Sequence, residues 1–260
     1  MGKKVMHLLT GTSFSGAENV ACQIMSCFQG DADYEMFYCS PDGKIRDALT
    51  ERNIRFVLMK EWSLLDVKRV LREEKPDIIH AHDMKASFYA ALVCGKTPLV
   101  SHIHNNNFDS RGISIKALLY KFAGMKARHI FWVSKSAYEG YAFHDKFTGK
   151  SSILYNVIDI AAVYQKALED TKEYIYDIVY VGRLTFQKNP QRLVEVLTGV
   201  QKRYPTLKAA IVGDGDLEMQ TKQVIEELHV EKCIDMLGYS SNPYKIIKNA
   251  KILIMTSRWE

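Results

Sequence analysis

Short apolar runs alternate with amphipathic stretches along nearly the whole chain. Runs rich in Val, Ile, Leu and aromatic residues fall at Lys4–Leu9, Glu35–Cys39, Arg55–Met59, Asp77–Ala81, Leu99–His104, Ile130–Ser134 and Ser152–Tyr155. A second series follows at Asp177–Gly182, Lys208–Gly213, Ile234–Leu237 and Ile252–Met255. Each has the length of a strand. Between them, apolar residues recur at helical spacing over Ala17–Phe28, Leu64–Glu74, Ile113–Met125, Pro190–Arg203, Leu217–Leu228 and Tyr244–Ala250. Such alternation predicts an α/β protein with parallel sheets covered by helices on both faces. The uninterrupted apolar strands IVYVG and AAIVGDG suit sheets buried on both sides.

The two series predict two domains. Residues 1–159 would form the first and residues 176–260 the second, joined by the charged segment 160–175 as a linker. Each series opens with a strand that runs into a Gly-containing turn and a helix, as two copies of one fold would. A Rossmann-type half carries about six strands. The second series has four, and only Thr256-Ser257-Arg258-Trp259-Glu260 follows the last. The second domain is therefore expected to be incomplete, with the chain cut at its C-terminus.

Composition narrows the class. Hydrophobic residues make up 47% and charged residues 25% of 260, as in an ordinary globular protein. The formal charge of +5 suits an anionic substrate or an acidic membrane surface. The dense Lys/Arg blocks of a dedicated nucleic-acid binder are missing. The five cysteines are odd in number, form no C-x-x-C and fall largely in apolar patterns, which reads as reduced core thiols in the cytosol. The opening MGKKVMHLLTGTS is a first strand, not a signal peptide. No apolar run approaches the ~18–20 residues that cross a bilayer. The protein is expected to be cytoplasmic, with at most a peripheral contact to the cytoplasmic face of the membrane.

The densest chemistry lies in VGRLTFQKNPQRLVEVL, residues 181–197. An apolar strand ends in Gly182-Arg183, a short turn carries Lys188, and Asn189-Pro190 opens a helix. Arginine offers phosphate a planar fork of donors, and lysine offers a compact charge. The helix N-terminus adds unpaired N–H groups and its positive dipole end, so the three together suit a diphosphate. Gly213-Asp214-Gly215 follows a buried strand; it brings backbone close to a nucleotide, or it simply makes the strand-to-helix turn. Gly11-Thr12-Ser13 and Gly16-Ala17-Glu18 flank the first helix, where Ser15 and Glu18 could also form a capping box.

The histidines admit two readings. His80 with His82, and His102 with His104, each place two imidazoles on one face of a strand end, because side chains alternate with period two. Two pairs on neighbouring strands could ligate zinc. No third-ligand pattern such as H-E-x-x-H accompanies them, and their place at the carboxyl ends of strands, where open α/β sheets gather ligands, favours a substrate-contacting role.

Taken in order, GTSFSGAENVACQI, DIIHAH, PLVSHIHN, YNVID, GRLTFQKN, VGDGDL, LGY and TSRWE resemble the landmarks of family 4 retaining glycosyltransferases over nearly all of the chain. That family has the GT-B fold, two Rossmann-like domains facing across a cleft. The resemblance implies an N-terminal acceptor-binding domain and a C-terminal domain for the nucleotide-sugar. It puts diphosphate binding on Arg183 and Lys188, with Gly16 in a loop covering the phosphates, and sets Gly182 and Gly213 near the nucleotide. It makes His104 and Glu260 the groups that contact the transferred sugar, with His82 and Glu18 as secondary candidates and His80 and His102 structural. A second glutamate, separated from the first by seven residues in the family, is absent from this sequence. The implied reaction needs no metal or other cofactor, since preplaced cations stabilise the leaving diphosphate. Retention would follow same-face attack, with the leaving phosphate taking the acceptor proton. The implied partners are a nucleotide diphosphate sugar and a glycan or lipid-linked glycan, in bacterial surface polysaccharide synthesis such as capsule. Two other outcomes fit the same residues: a nucleotide-sugar 2-epimerase, and a truncated non-catalytic protein that binds glycan or a partner.

Residues 113–128 (ISIKALLYKFAGMKAR) are apolar on one side and carry Lys116, Lys121, Lys126 and Arg128. They form either a basic helix for a membrane surface or a sheet-packing helix with a wet basic face.

Overall fold

The computed structural model describes residues 2–14, 16–105 and 112–258. The chain divides into two compact units between Val157 and Ile158.

The first unit is built on seven strands: β1 (Lys3–Leu9), β2 (Tyr34–Pro41), β3 (Phe56–Met59), β4 (Ile78–His82), β5 (Leu99–Ile103), β6 (His129–Trp132) and β7 (Ser151–Ile153). They lie in the order β3-β2-β1-β4-β5-β6-β7, and every pairing is parallel. The first six positions repeat the doubly wound order, whose switch point falls between β1 and β4. The helices are α1 (Gly16–Cys27), α2 (Ile45–Glu51), α3 (Leu64–Glu74), α4 (Met84–Val93), α5 (Ile115–Lys126) and the short α6 (Lys135–Glu139), with a 3-10 turn at His144–Lys150.

Alternation splits each strand between two cores. Met6, Leu8, Phe37, Ile79, Ala81, Ile103 and Trp132 join buried residues of α3, α4 and α5. Leu9 and Tyr38, on the opposite face, pack with Ala21, Cys22 and Met25 of α1 and with Ile45 and Leu49 of α2. Cys22, Cys39, Cys94 and Cys233 are buried free thiols, whereas Cys27 is exposed. Burial pushes the Cys22 thiol up to about 11, as befits a packing residue.

The second unit holds β8 (Ile178–Val181), β9 (Ala209–Val212), β10 (Ile234–Gly238) and β11 (Ile252–Leu253), in the all-parallel order β10-β9-β8-β11. This is the central part of the same winding. Helices α7 (Ile160–Glu169), α8 (Pro190–Arg203), α9 (Glu218–Glu227) and α10 (Tyr244–Asn249) complete it. One core joins Ile178, Tyr180, Ala209 and Ile211 to Leu193, Val194 and Leu197 of α8.

Four helices, α2, α4, α6 and α7, escape a periodicity reading, and side-chain caps explain why the last three form. The Asp83 carboxylate accepts from Ala86 N at 2.6 Å to start α4, whose apolar residues surround the helix and leave no stripe. Ser134 does the same for α6, and Asp159 for α7. The expected linker is thus largely helix. Lys166 O accepts from Asn242 Nδ2 at 2.7 Å, and Asp170 O accepts from Lys245 Nζ at 2.8 Å, which ties 160–170 into the second unit.

Helix α5 reverses the simple amphipathic expectation. Its buried side carries the small residues Ala117, Ala123 and Gly124 with Tyr120, whereas Ile115, Leu118, Leu119 and Met125 are exposed. Small residues allow close approach to α4 and to Phe147, and the large apolar side chains are left outward. No described helix is long and apolar enough to cross a membrane.

Candidate functional site

In the second unit, the loop 182–189 after β8 is held from three sides. Gly182 N donates to Val212 O at 3.0 Å, and Leu184 N donates to Asp214 O at 2.7 Å. Tyr180 Oη donates to Arg183 O at 3.0 Å. The third side comes from the C-terminal TSR: Thr256 Oγ1 donates to Asn189 O at 3.2 Å, Arg258 N to Gln187 O at 2.8 Å, and the Arg258 guanidinium stacks 4.3 Å from the Phe186 ring centre. The sequence reading missed Arg258. The aromatic Phe186, four residues past the strand end, was the available signal.

This clamp presents the two predicted cations ahead of α8. Arg183 is exposed and Lys188 half-buried. Asn189, in the left-handed region at φ 53°, sits at the cap position and makes no side-chain hydrogen bond to the first turn, and Pro190 occupies that turn. Its Oδ1 instead accepts from Arg258 Nη2 at 3.2 Å. A 14-residue helix therefore points an uncapped N-terminus into a loop bearing an arginine and a lysine.

Gly213 serves this same loop. Its φ is 139°, and a Cβ there would lie under 3.0 Å from Gly182 O. The turn reading of Gly213 thus has a definite content: only glycine lets the ends of β8 and β9 come so close.

In the first unit, the predicted histidines converge with one more. Register pairs His7 with His80, Leu9 with His82, and His82 with His102, so all of these share a face, together with His104 two residues beyond His102. Sequence reasoning missed His7, because only the strand order sets β1 beside β4. The five rings form a contiguous row, with centroids 4.3 Å apart for His80–His82 and 4.2 Å for His102–His104. His7 Nδ1 lies 2.9 Å from His82 Nε2, and His82 Nδ1 lies 3.0 Å from His104 Nε2. His7, His80, His82 and His102 are buried and His104 is half-buried.

Burial sets their charge. Desolvation, with the His102 ring adding, holds His7 down to about 3; desolvation alone brings His104 to about 4. His102 falls to about 2, and His80 and His82 lie well below the usual range. All five are neutral at pH 7.

Two trios, His7–His80–His82 and His82–His102–His104, have nitrogens within 4.8 Å of one another. Both nitrogens of the shared His82, however, face a neighbouring imidazole nitrogen at hydrogen-bond distance, rather than converging on a common point as zinc ligands do. The arrangement fits hydrogen bonding within the row.

Asp83 borders this row in an unusual backbone conformation, φ 114° and ψ 167°. For a non-glycine residue this costs on the order of 1–3 kcal/mol. It is held by Asp83 N donating to His102 O at 2.9 Å and by Thr10 Oγ1 donating to its carboxylate at 2.6 Å. Burial raises the Asp83 pKa against the hydrogen bonds its carboxylate accepts from Thr10 and Ala86. Thr10, Asp83, Lys85, Asn105 and Lys116 line a cleft of about 240 Å³. Glu18 is buried against Gly11, where any Cβ would collide with its carboxylate, whereas Gly16 opens α1 with nothing within 4 Å of where a Cβ would lie. Ser15 and Glu260 lie outside the described residues.

The model of Glycosyltransferase Family 4 matches residues 14–162, more than half of the chain, and that of glycosyl transferases group 1 matches residues 161–260. The chain belongs to glycosyltransferase family 4.

Among curated relatives of this family 4 member, the amylovoran biosynthesis glycosyltransferase AmsD of Erwinia amylovora is 32% identical over 282 residues, covering 99% of this chain and 75% of its own. An N-acetylgalactosaminyltransferase of Campylobacter jejuni, named for a diphospho-undecaprenol acceptor, is 30% identical over 164 residues, covering 63% of this chain and 43% of its own. The chain spans about half the length of the first curated relatives it matches, 55% for a glycosyltransferase of Methanocaldococcus jannaschii. The crystal structure of Anabaena HepE with UDP superposes with a TM-score of 0.80 at 17% identity, over 98% of this chain and 74% of that one. The likeness shows the GT-B fold.

Proposed function

We propose that this chain is the retaining transferase of a sugar from a nucleoside diphosphate to a hydroxyl of a glycan or lipid-linked glycan, in surface polysaccharide synthesis. The observation that carries the reading is the clamped loop 182–189: an exposed arginine and a half-buried lysine in front of an uncapped helix N-terminus. Negative charge grows on the diphosphate as its bond to the sugar breaks. Cations already in place stabilise that state more than the bound donor, which is what lowers a barrier. Arg183 would supply the fork and Lys188 the point charge. Because these two provide the charge, the transfer is read as metal-independent.

On the acceptor side, His104 contacts the transferred sugar and Gly16 belongs to a phosphate-covering loop. Glu260 is assigned to the sugar on the family motif alone. The relatives' names support the acceptor class: the Campylobacter protein's own includes diphospho-undecaprenol. The outward face of α5 fits a peripheral contact with the cytoplasmic face of a membrane that carries such acceptors. Ile115 is 79% and Met125 65% exposed, beside Lys116, Lys121 and Lys126. Apolar insertion and attraction to anionic headgroups would act together there.

Calorimetric titration with UDP, GDP and their sugars tests the donor half. Binding that Lys188→Ala weakens supports the reading, and preference between UDP and GDP identifies the base; binding untouched by both Lys188→Ala and Arg183→Ala refutes the diphosphate assignment. Conversion of the donor without acceptor would reassign the chain as an epimerase.

A further inference from the structure

Four consecutive carbonyls of the loop ahead of α8 turn toward the segment Thr256–Arg258. Phe186 O accepts from Arg258 Nε at 3.2 Å, and Gln187 O accepts from Arg258 N at 2.8 Å. The Thr256 hydroxyl lies between Lys188 O at 3.3 Å and Asn189 O at 3.2 Å. Arg258 also reaches the side chain placed to close the helix, donating from Nη2 to Asn189 Oδ1 at 3.2 Å.

Two local rules ask Asn189 to be extended. It precedes Pro190, whose ring disfavours helical backbone before it, and it occupies the N-cap position of α8. An extended asparagine there caps its helix, because its side-chain oxygen accepts from the N–H of the second or third helical residue. In α8 those are Gln191 and Arg192, whose N–H groups have no carbonyl four residues back within the helix. Asn189 instead sits in the left-handed region, φ 53° and ψ 58°, and accepts nothing from the first turn. Asparagine tolerates that region, so a modest long-range contact can choose between the two states. The Arg258 guanidinium makes that contact, and it takes the same oxygen that the cap would use. Stacking on Phe186 holds the guanidinium against the loop, 4.3 Å from the ring centre.

We propose that Arg258 is a positioning residue that keeps Asn189 from capping α8 and so leaves the first-turn N–H groups of that helix to the donor diphosphate. A capping oxygen and a phosphate oxygen compete for the same donors. The diphosphate rests on the proposed function; the conformation of Asn189 does not.

The test compares the parent with Arg258→Ala, Asn189→Gly and the double variant. Arg258→Ala keeps the backbone donation to Gln187 O and removes only an exposed guanidinium, so the melting temperature should stay within a few degrees. Without nucleotide, the Asn189 Cα and Cβ chemical shifts read its backbone, and amide exchange reads Gln191 and Arg192. The parent should show left-handed shifts and fast exchange. Arg258→Ala should show extended shifts, with one of the two amides slowed roughly fivefold, the strength of a cap. Calorimetric titration with UDP and GDP should show affinity lowered by a similar factor in Arg258→Ala and regained in the double variant. Glycine takes the left-handed region unaided and carries no capping oxygen. Loss of a merely structural contact would not be rescued by removing a second side chain. Left-handed shifts retained in Arg258→Ala, or a double variant that binds no better than Arg258→Ala, overturns the proposal. If Arg258→Ala does not fold, Arg258→Lys, which keeps the charge without the fork, gives the same readings. Binding unmoved by Arg183→Ala and Lys188→Ala defeats the proposed function instead, and the Asn189 shifts, which need no nucleotide, still decide the conformation.

Discussion

Acidification from pH 7 to 5 should destabilise the first unit steeply, because its histidines are buried uncharged. In the unfolded chain each titrates near 6.5; in the folded unit His7 is held to about 3, His102 to about 2 and His104 to about 4, with His80 and His82 well below their usual value. Folded values below unfolded values mean that the unfolded chain binds more protons throughout the window between them. Stability therefore rises with pH there and is lost as pH falls below about 6.5, with the loss continuing to about 4 for His104. Between pH 7 and 5 each such histidine removes about 2 kcal/mol, so five remove on the order of 10 kcal/mol. That approaches the whole stability of a typical domain, about 5–15 kcal/mol. The other shifted groups do not cancel it. Asp83, raised by burial, opposes with at most one proton, and the depressed Asp66 and Glu74 act below their usual values, under the window. Urea unfolding followed by fluorescence of the buried Trp132 would give the pH slope, and calorimetry in buffers of different ionisation enthalpy would give proton uptake directly. Roughly four to five protons should be taken up on unfolding at pH 5.5. His102→Leu should lower that count by about one. Equal urea midpoints at pH 7 and 5.5, or an uptake below about two protons, would refute a row of buried neutral imidazoles.

Other outcomes follow from the second unit and from α5. Lys188→Ala and Arg183→Ala should each weaken nucleoside diphosphate binding by about 1.5–3 kcal/mol, the range of a charge-assisted hydrogen bond, as read by calorimetric titration. Gly213→Ala should destabilise the second unit by at least about 2 kcal/mol in thermal or urea unfolding, since its φ of 139° and the nearby Gly182 carbonyl both reject a Cβ. Leu119→Glu with Met125→Glu should abolish sedimentation with anionic-lipid vesicles yet leave the melting temperature within a few degrees, because both side chains already face outward. EDTA should leave any transferase activity intact; loss on chelation with rescue by zinc would assign a metal to the histidines after all.

The strands were legible because buried parallel strands are apolar runs of the right length: all eleven predicted runs are strands, with ends shifted by a residue or two. Helices without a one-sided stripe were not legible from periodicity. Met84–Val93 is apolar all round, and its only local signal was the Asp83 cap. The segment 160–175 looked like a linker because it is charged and lies between two strand series, yet Asp159 caps a helix there, and Asn242 and Lys245 donate to the carbonyls of Lys166 and Asp170. The loop 182–189 was readable in part. Arg183, Lys188 and Asn189-Pro190 are neighbours along the chain, whereas the Arg258 clamp joins residues about seventy apart.

Local chemistry along the chain thus determined the α/β alternation, the family and the two cations of the loop ahead of α8, since each depends on residues within one strand–turn–helix. Only the tertiary structure decided what long-range pairing controls. Strand order places His7 beside His80 and completes the buried row. Close approach of two strand ends makes Gly213 obligatory. Packing of α5 by its small residues leaves its large apolar side chains outward. Burial and register belong to the sheet as a whole, and no window of sequence contains them.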